Sequence, residues 1–126
     1  GNLEASRDWG YAPEYVEAMW LMLQNPVGPR DYVIATGRLH SVRDLLQVAF
    51  SSVGLEYEKY VKVNEEYFRQ GETVPLVGNA TKVFRELGWM AKKSFEAMIC
   101  SMVLHELELL KTGLKYEGKS VSHESI

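Results

Sequence analysis

Cysteine is almost missing from this chain: Cys100 is the one thiol in 126 residues. No disulfide framework can form within the chain, and such usage fits a reducing, cytoplasmic compartment. The three histidines, His40, His105 and His123, are far apart in sequence. No pair has metal-ligand spacing, so no metal site is argued. No apolar run approaches the ~20 residues of a membrane span. Neither end carries a basic, apolar and small-residue secretory pattern. A basic stripe is also lacking. The formal net charge is -3 and the pI about 5.6, which argues against the counterion-displacing surface of a nucleic-acid binder. There is no GxGxxG loop, no P-loop and no GxSxG elbow. The chain begins Gly1-Asn2-Leu3 without an initiator methionine, so it reads as a processed product or a fragment. What remains is ordinary globular material. Apolar residues make up 46% and charged residues 25%, enough for one domain with a single core.

Hydrophobic spacing organises that material into about four helices and two to three short strands, a mixed α/β domain in which helices predominate. Pro13 suits a first helical turn, and Val16, Met19, Trp20 and Leu23 follow at i, i+3, i+4 and i+7, one apolar stripe. Asn25-Pro26 ends this helix, and Val27-Gly28-Pro29 forms a turn. Asp31 to Thr36 (DYVIAT), rich in β-formers and closed by Gly37, reads as a short buried strand. Ser41 with Asp44 makes a capping box for a second helix. Its apolar face is Val42, Leu45, Leu46, Ala49, Phe50 and Val53, and Gly54 stands where a C′ glycine belongs. Glu56 to Val63 reads as a partly exposed strand. Residues 64 to 78 have no period and read as a long ordered loop, a feature more often functional than not. A short helix follows, with Asn79 as N-cap, Val83, Phe84 and Leu87 apolar, and Gly88 at its end. The last helix runs from the Ser94 cap to about Lys111 and is closed by Gly113. Phe95, Ile99, Met102 and Val103 line one of its faces, with Met98 and Leu109 beside it. Residues 114 to 126 are small and polar and read as a flexible tail.

Two stretches carry candidate chemistry. In Arg7-Asp8-Trp9-Gly10, the Arg7 guanidinium either forks onto an anion such as a phosphate or forms a surface pair with Asp8 or Glu4. In Tyr67-Phe68-Arg69-Gln70-Gly71-Glu72, two aromatics, a cation and a carboxylate stand within six residues. That set either serves a nucleotide, with Arg69 on a diphosphate and Glu72 accepting from sugar hydroxyls or base N–H groups, or it anchors a loop that bears a solvated charge pair. His105 and Cys100 read as packing or surface residues. His40, one residue before a helix cap, is open to either reading.

At these same residues the chain resembles the C-terminal part of GDP-mannose 4,6-dehydratases, which are extended short-chain dehydrogenase/reductases. Gly1, Asn2 and Leu3, then Arg7 to Gly10, Ala12, Tyr15 and Val16, follow the family's opening pattern. Asp31 to Gly37 matches its DYVIATG strand, and Ser41, Val42 and Arg43 match its SVR helix start. Tyr67, Phe68, Arg69 and Glu72 are similar to its YFRPAE loop, and Thr81, Lys82, Leu87, Gly88 and Trp89 to the helix after it. The resemblance covers roughly residues 1 to 110.

It implies a larger enzyme. In the family, an N-terminal Rossmann domain holds NADP, whose nicotinamide takes and returns a hydride at the hexose while water is lost from C5–C6. The product is GDP-4-keto-6-deoxy-mannose. Residues 1–113 would be the substrate-binding segment without its Rossmann half. Arg69 and Arg7 would meet the diphosphate, and Glu72 the nucleoside. The glycine-rich loop and the Tyr-x-x-x-Lys pair are absent here, so the chain is expected to hold no cofactor, no catalytic residue and no metal, and not to be a complete lyase. The family's Pro-Ala between arginine and glutamate is replaced by Gln70-Gly71, which lowers preorganisation. The alternative is a free-standing interaction module with a vestigial nucleotide-sugar site. The expected partners are GDP-mannose or a related GDP-sugar and, to cover exposed apolar surface, a second copy or the missing half. Nucleic acid and membrane are not expected.

Overall fold

A computed structural model of the chain describes residues 1–68 and 75–113. Four helices carry the architecture: α1 (Ala12–Leu23), α2 (Val42–Ser51), α3 (Thr81–Leu87) and α4 (Phe95–Thr112). Among the described residues the one sheet is a two-stranded antiparallel pair, β1 (Ser6–Arg7) and β2 (His40–Ser41), with Ser6 opposite Ser41 and Arg7 opposite His40. Single turns of 3-10 helix lie at Tyr57–Lys59 and Glu65–Tyr67.

The caps form largely where local chemistry places them. Ser41 Oγ accepts from Asp44 N at 3.0 Å while Asp44 Oδ2 accepts from Ser41 N at 2.7 Å, a complete capping box at the start of α2. These bonds, chiefly the one from the Ser41 backbone, hold the Asp44 carboxyl below its ordinary pKa. At the other end Gly54 takes a φ of 73°. Leu55 N there donates to Phe50 O at 2.9 Å and Gly54 N to Ser51 O at 3.1 Å, the paired bonds of a Schellman turn. Ser94 Oγ caps α4 through Ala97 N at 3.1 Å. Helix α3 starts one residue later than expected, with Ala80 as N-cap and Asn79 Oδ1 accepting from Thr81 N at 3.0 Å.

Two small cores result. In the first, Ala18 of α1, Val83 of α3 and Trp89 are buried, with Tyr15, Leu21, Tyr32, Ile34 and Leu87 packed around them. Trp89 Nε1 donates to Glu14 O at 2.9 Å, which satisfies its polar edge inside that core. In the second, Phe95, Met98 and Ile99 of α4 pack against Leu45, Val48 and Ala49 of α2 and against Trp9 and Tyr11.

Several expectations are corrected. Asp31 to Thr36 forms no ladder among the described residues. A strand needs a neighbour to exchange N–H···O bonds with. Here the N–H groups of Thr36 and Gly37 donate to a side chain instead. Glu56 to Val63 is no strand either: Tyr60 N and Val61 N both turn back to Tyr57 O, at 3.0 and 2.9 Å. The α1 stripe does not face the core. Val16, Met19, Trp20 and Leu23 are 61%, 58%, 61% and 79% exposed, and the opposite side of the helix, through Ala18, is buried. Met102 of α4 is likewise exposed, and Met98 takes the inward place beside Phe95 and Ile99. The tail, residues 114–126, lies outside the described residues.

Candidate functional site

The first ten residues tie the chain together. Leu3 O and Ala5 O accept from Arg43 N and Val42 N at 2.9 and 3.0 Å, so the segment lies along the start of α2. Arg43 anchors it further, through Nε at 2.8 Å and Nη2 at 2.6 Å to Glu4 Oε1, and through Nη1 at 2.7 Å to the buried Tyr57 hydroxyl.

Asp8 is the hub of this segment. Its Oδ1 accepts from Thr36 N at 2.9 Å and from the Thr36 hydroxyl. Its Oδ2 accepts from Gly37 N at 2.9 Å and from Gly78 N at 3.1 Å. One carboxylate therefore joins remote stretches of backbone. Burial by itself would raise its pKa, but the Thr36, Gly78 and Gly37 bonds outweigh burial and hold it below the ordinary value. With four donors on it, Asp8 is an ionised staple rather than a proton-transfer group. Gly78 is fixed by contact as well: a Cβ there would collide with Ala35 Cβ. Gly10 approaches the Tyr15 ring so closely that any side chain would strike it. Burial, then the charges of Asp8 and Glu14, push the Tyr15 phenol above its ordinary pKa.

The same segment also touches Tyr67. A Cβ built on Gly1 would stand 3.1 Å from Tyr67 O. Gly1 thus lies beside Tyr67, and Asp8 holds Gly78. Tyr67 and Phe68 are both exposed. Arg69 and Glu72 lie outside the described residues. Arg7 is exposed in β1, where its Nη1 donates to Ser6 O at 2.9 Å.

The histidines resolve differently. His40 lies flat on Phe95, ring centroids 3.9 Å apart at 3°, and Trp9 stacks on Phe95 as well, at 5.7 Å. This gives His40 a packing role. His105 is exposed on α4 and Cys100 is half-buried. Among the described residues no group of three His, Cys, Asp or Glu side chains could hold a metal ion, and no helix is long and apolar enough to cross a membrane. A polar hollow of about 400 Å³ by α3 is lined by Asn79, Thr81, Lys82, Arg85 and Glu86. Sequence reading missed Asp8 as a hub, because its partners are 28 to 70 residues away and such bonds leave no spacing signal. Its one trace is that RDWG and the Thr-Gly of DYVIATG both occur.

Residues 1–102 match the sequence profile of the family described as GDP-mannose 4,6 dehydratase. GDP-mannose 4,6 dehydratase 1 of Arabidopsis thaliana is 49% identical over 111 residues, which is 88% of this chain and 30% of the relative. The Dictyostelium discoideum enzyme is 42% identical, covering 92% of this chain and 37% of the relative. The human enzyme is 39% identical, covering 89% and 34%. The chain therefore spans about a third of the length of the curated relatives it matches. Among solved structures, UDP-glucose 4-epimerase of Thermotoga maritima with UDP-glucose superposes with a TM-score of 0.70 at 24% identity, over 87% of this chain and 34% of the epimerase. RMD from Pseudomonas aeruginosa complexed with NADPH gives 0.68 at 13%, over 82% and 33%. These structural likenesses establish a shared fold.

Proposed function

Because the chain belongs to the GDP-mannose 4,6-dehydratase family, we propose that residues 1–113 are the GDP-sugar-binding part of the C-terminal region of such a cytoplasmic enzyme. The observation that supports this reading is that residues 1–8 meet the described residues on either side of 69–74, Gly1 beside Tyr67 and Asp8 on Gly78. Arg7 belongs to that same segment. Arg69 and, more weakly, Arg7 then pair with the diphosphate of GDP-mannose or a related GDP-sugar, and Glu72 accepts hydrogen bonds from the nucleoside.

The chain's own residues do not fit the nicotinamide cofactor of the family. Among the described residues the positive-φ glycines, Gly28, Gly37, Gly54, Gly88 and Gly113, are each isolated. No strand among the described residues leads through a glycine-rich loop into a helix N-terminus. No tyrosine is followed by lysine four positions on. NADP and the lyase chemistry that depends on it belong to a Rossmann half outside these residues. This chain contributes binding and orientation of the nucleotide sugar.

Calorimetric titration with GDP-mannose tests the reading, with Arg69→Ala as control. Saturable binding that disappears in the control is the expected result. No heat up to millimolar ligand, or equal binding by Arg69→Ala, overturns it. The second reading, a vestigial site on an interaction module, is favoured by one specific feature: Gln70-Gly71 stands where the family has Pro-Ala, which loosens the loop backbone.

A further inference from the structure

We infer that His40 is a positioning residue for the diphosphate contact: locked flat on Phe95, its ring walls in Arg7 from the facing strand and preorders the guanidinium for an anion. This rests on the proposed binding of a GDP-sugar and adds to it a residue that does not itself touch the ligand. Arg7 and His40 stand directly opposite each other in the β1–β2 pair. Residues so placed on an antiparallel ladder share one face, with Cβ atoms roughly 4.5–5.5 Å apart. Strands of two residues offer Arg7 a single opposing side chain, and it is this imidazole.

The imidazole is itself fixed by α4. Its ring lies 3.9 Å from the Phe95 ring at 3°, and Phe95 is buried. Trp9, two residues after Arg7, stacks on Phe95 as well, at 5.7 Å and 16°. Phe95 is in turn held by groups outside the first ten residues. Ser94 Oγ caps its helix through Ala97 N at 3.1 Å, and Glu14 Oε1 accepts from Lys92 N and Lys93 N at 3.1 and 3.0 Å. A stack anchored in α4 thus ends beside an arginine. A long, exposed arginine samples many rotamers, and ordering it on a ligand weakens binding. A neighbouring ring that cannot turn removes part of that freedom before the ligand arrives.

A double-mutant cycle read by calorimetric titration with GDP-mannose tests this. Arg7→Ala is expected to weaken binding roughly tenfold, the effect of one exposed charge-assisted contact. His40→Ala is expected to weaken it about three- to tenfold in the native background and to have no further effect beside Arg7→Ala. His40→Phe keeps a ring on Phe95 and should restore native affinity. His105→Ala, at an exposed site of α4, should bind as the native chain does. Circular dichroism and thermal unfolding check that each variant folds; if His40→Ala does not, His40→Gln, which lacks a ring, takes its place in the cycle. A native chain that binds no GDP-mannose overturns the proposed function and this inference together. Native binding that Arg7→Ala or His40→Ala leaves unchanged overturns the inference and leaves the Arg69 contact standing. So does an additive loss in the double variant. A His40→Phe chain as weak as His40→Ala overturns it too, by making the imidazole nitrogens a direct contact.

Discussion

Replacing Asp8 by asparagine is the sharpest test of how the N-terminal segment holds the molecule. The asparagine side chain keeps one acceptor, enough for Thr36, but its amide presents N–H groups to the N–H groups of Gly37 and Gly78. Two charge-assisted bonds, at 2.9 and 3.1 Å in the native chain, become donor–donor contacts. Bonds to charged groups contribute about 1.5–3 kcal/mol each. Asp8 is only half-buried, so the lower end applies and the expected loss is about 3 kcal/mol. Against a total of roughly 5–15 kcal/mol, that is a large fraction. It corresponds to a fall in Tm on the order of 10 °C for a domain of this size. Urea unfolding followed by tryptophan fluorescence measures it, and hydrogen exchange at the Gly37 and Gly78 amides localises it. The pH dependence has a fixed sign. The folded-state pKa of Asp8 lies below its ordinary value of 3.8, so its contribution is fully present above that value and lost as pH falls through the folded pKa. The gap between native and Asp8→Asn chains is constant near neutrality and narrows below about pH 4. A difference under about 0.5 kcal/mol at pH 7, or a gap that widens in acid, would refute the assignment.

Two further substitutions follow from the same packing. Gly78→Ala drives a methyl into Ala35 and is expected to cost about 1–3 kcal/mol as an overpacking change, read by chemical denaturation; a neutral result would mean that the Gly78–Ala35 approach is not as close as described. Ser41→Ala removes half of the capping box and is expected to cost about 1 kcal/mol. Ser41→Asp should recover most of that loss in the same assay.

The sequence was legible wherever a rule acts over a few residues. The Ser41–Asp44 box, the Gly54 and Gly113 closures and the Ser94 cap were each readable because their partners stand three to five positions away. Tertiary pairing was not. DYVIAT has the composition of a strand, yet composition does not state whether a neighbour is present, and here Asp8 takes the N–H groups of Thr36 and Gly37. The α1 stripe is apolar, as its spacing states, but the spacing does not say that it is the exposed side. The helix has two apolar faces, and periodicity alone cannot rank them when alanine and tyrosine make up the buried one. Of the nominated site residues, Arg7 stands exposed in β1, whereas Arg69 and Glu72 fall outside the described residues. The Asp8 hub, which holds Thr36, Gly37 and Gly78, left no local pattern to read.

The span of the N-terminal ties has a kinetic consequence. Asp8 waits for Gly78, Glu14 for Trp89 and Lys93, and Trp9 for Phe95. Each contact closes a loop of most of the chain, and such closures are slow because their entropy is lost before any contact compensates it. During synthesis, the opening segment and α1 therefore lack these ties until the codons for α3 and the start of α4 have been read. Through that interval Tyr15 and Ala18, on the buried side of α1, stay without their partners Val83 and Trp89.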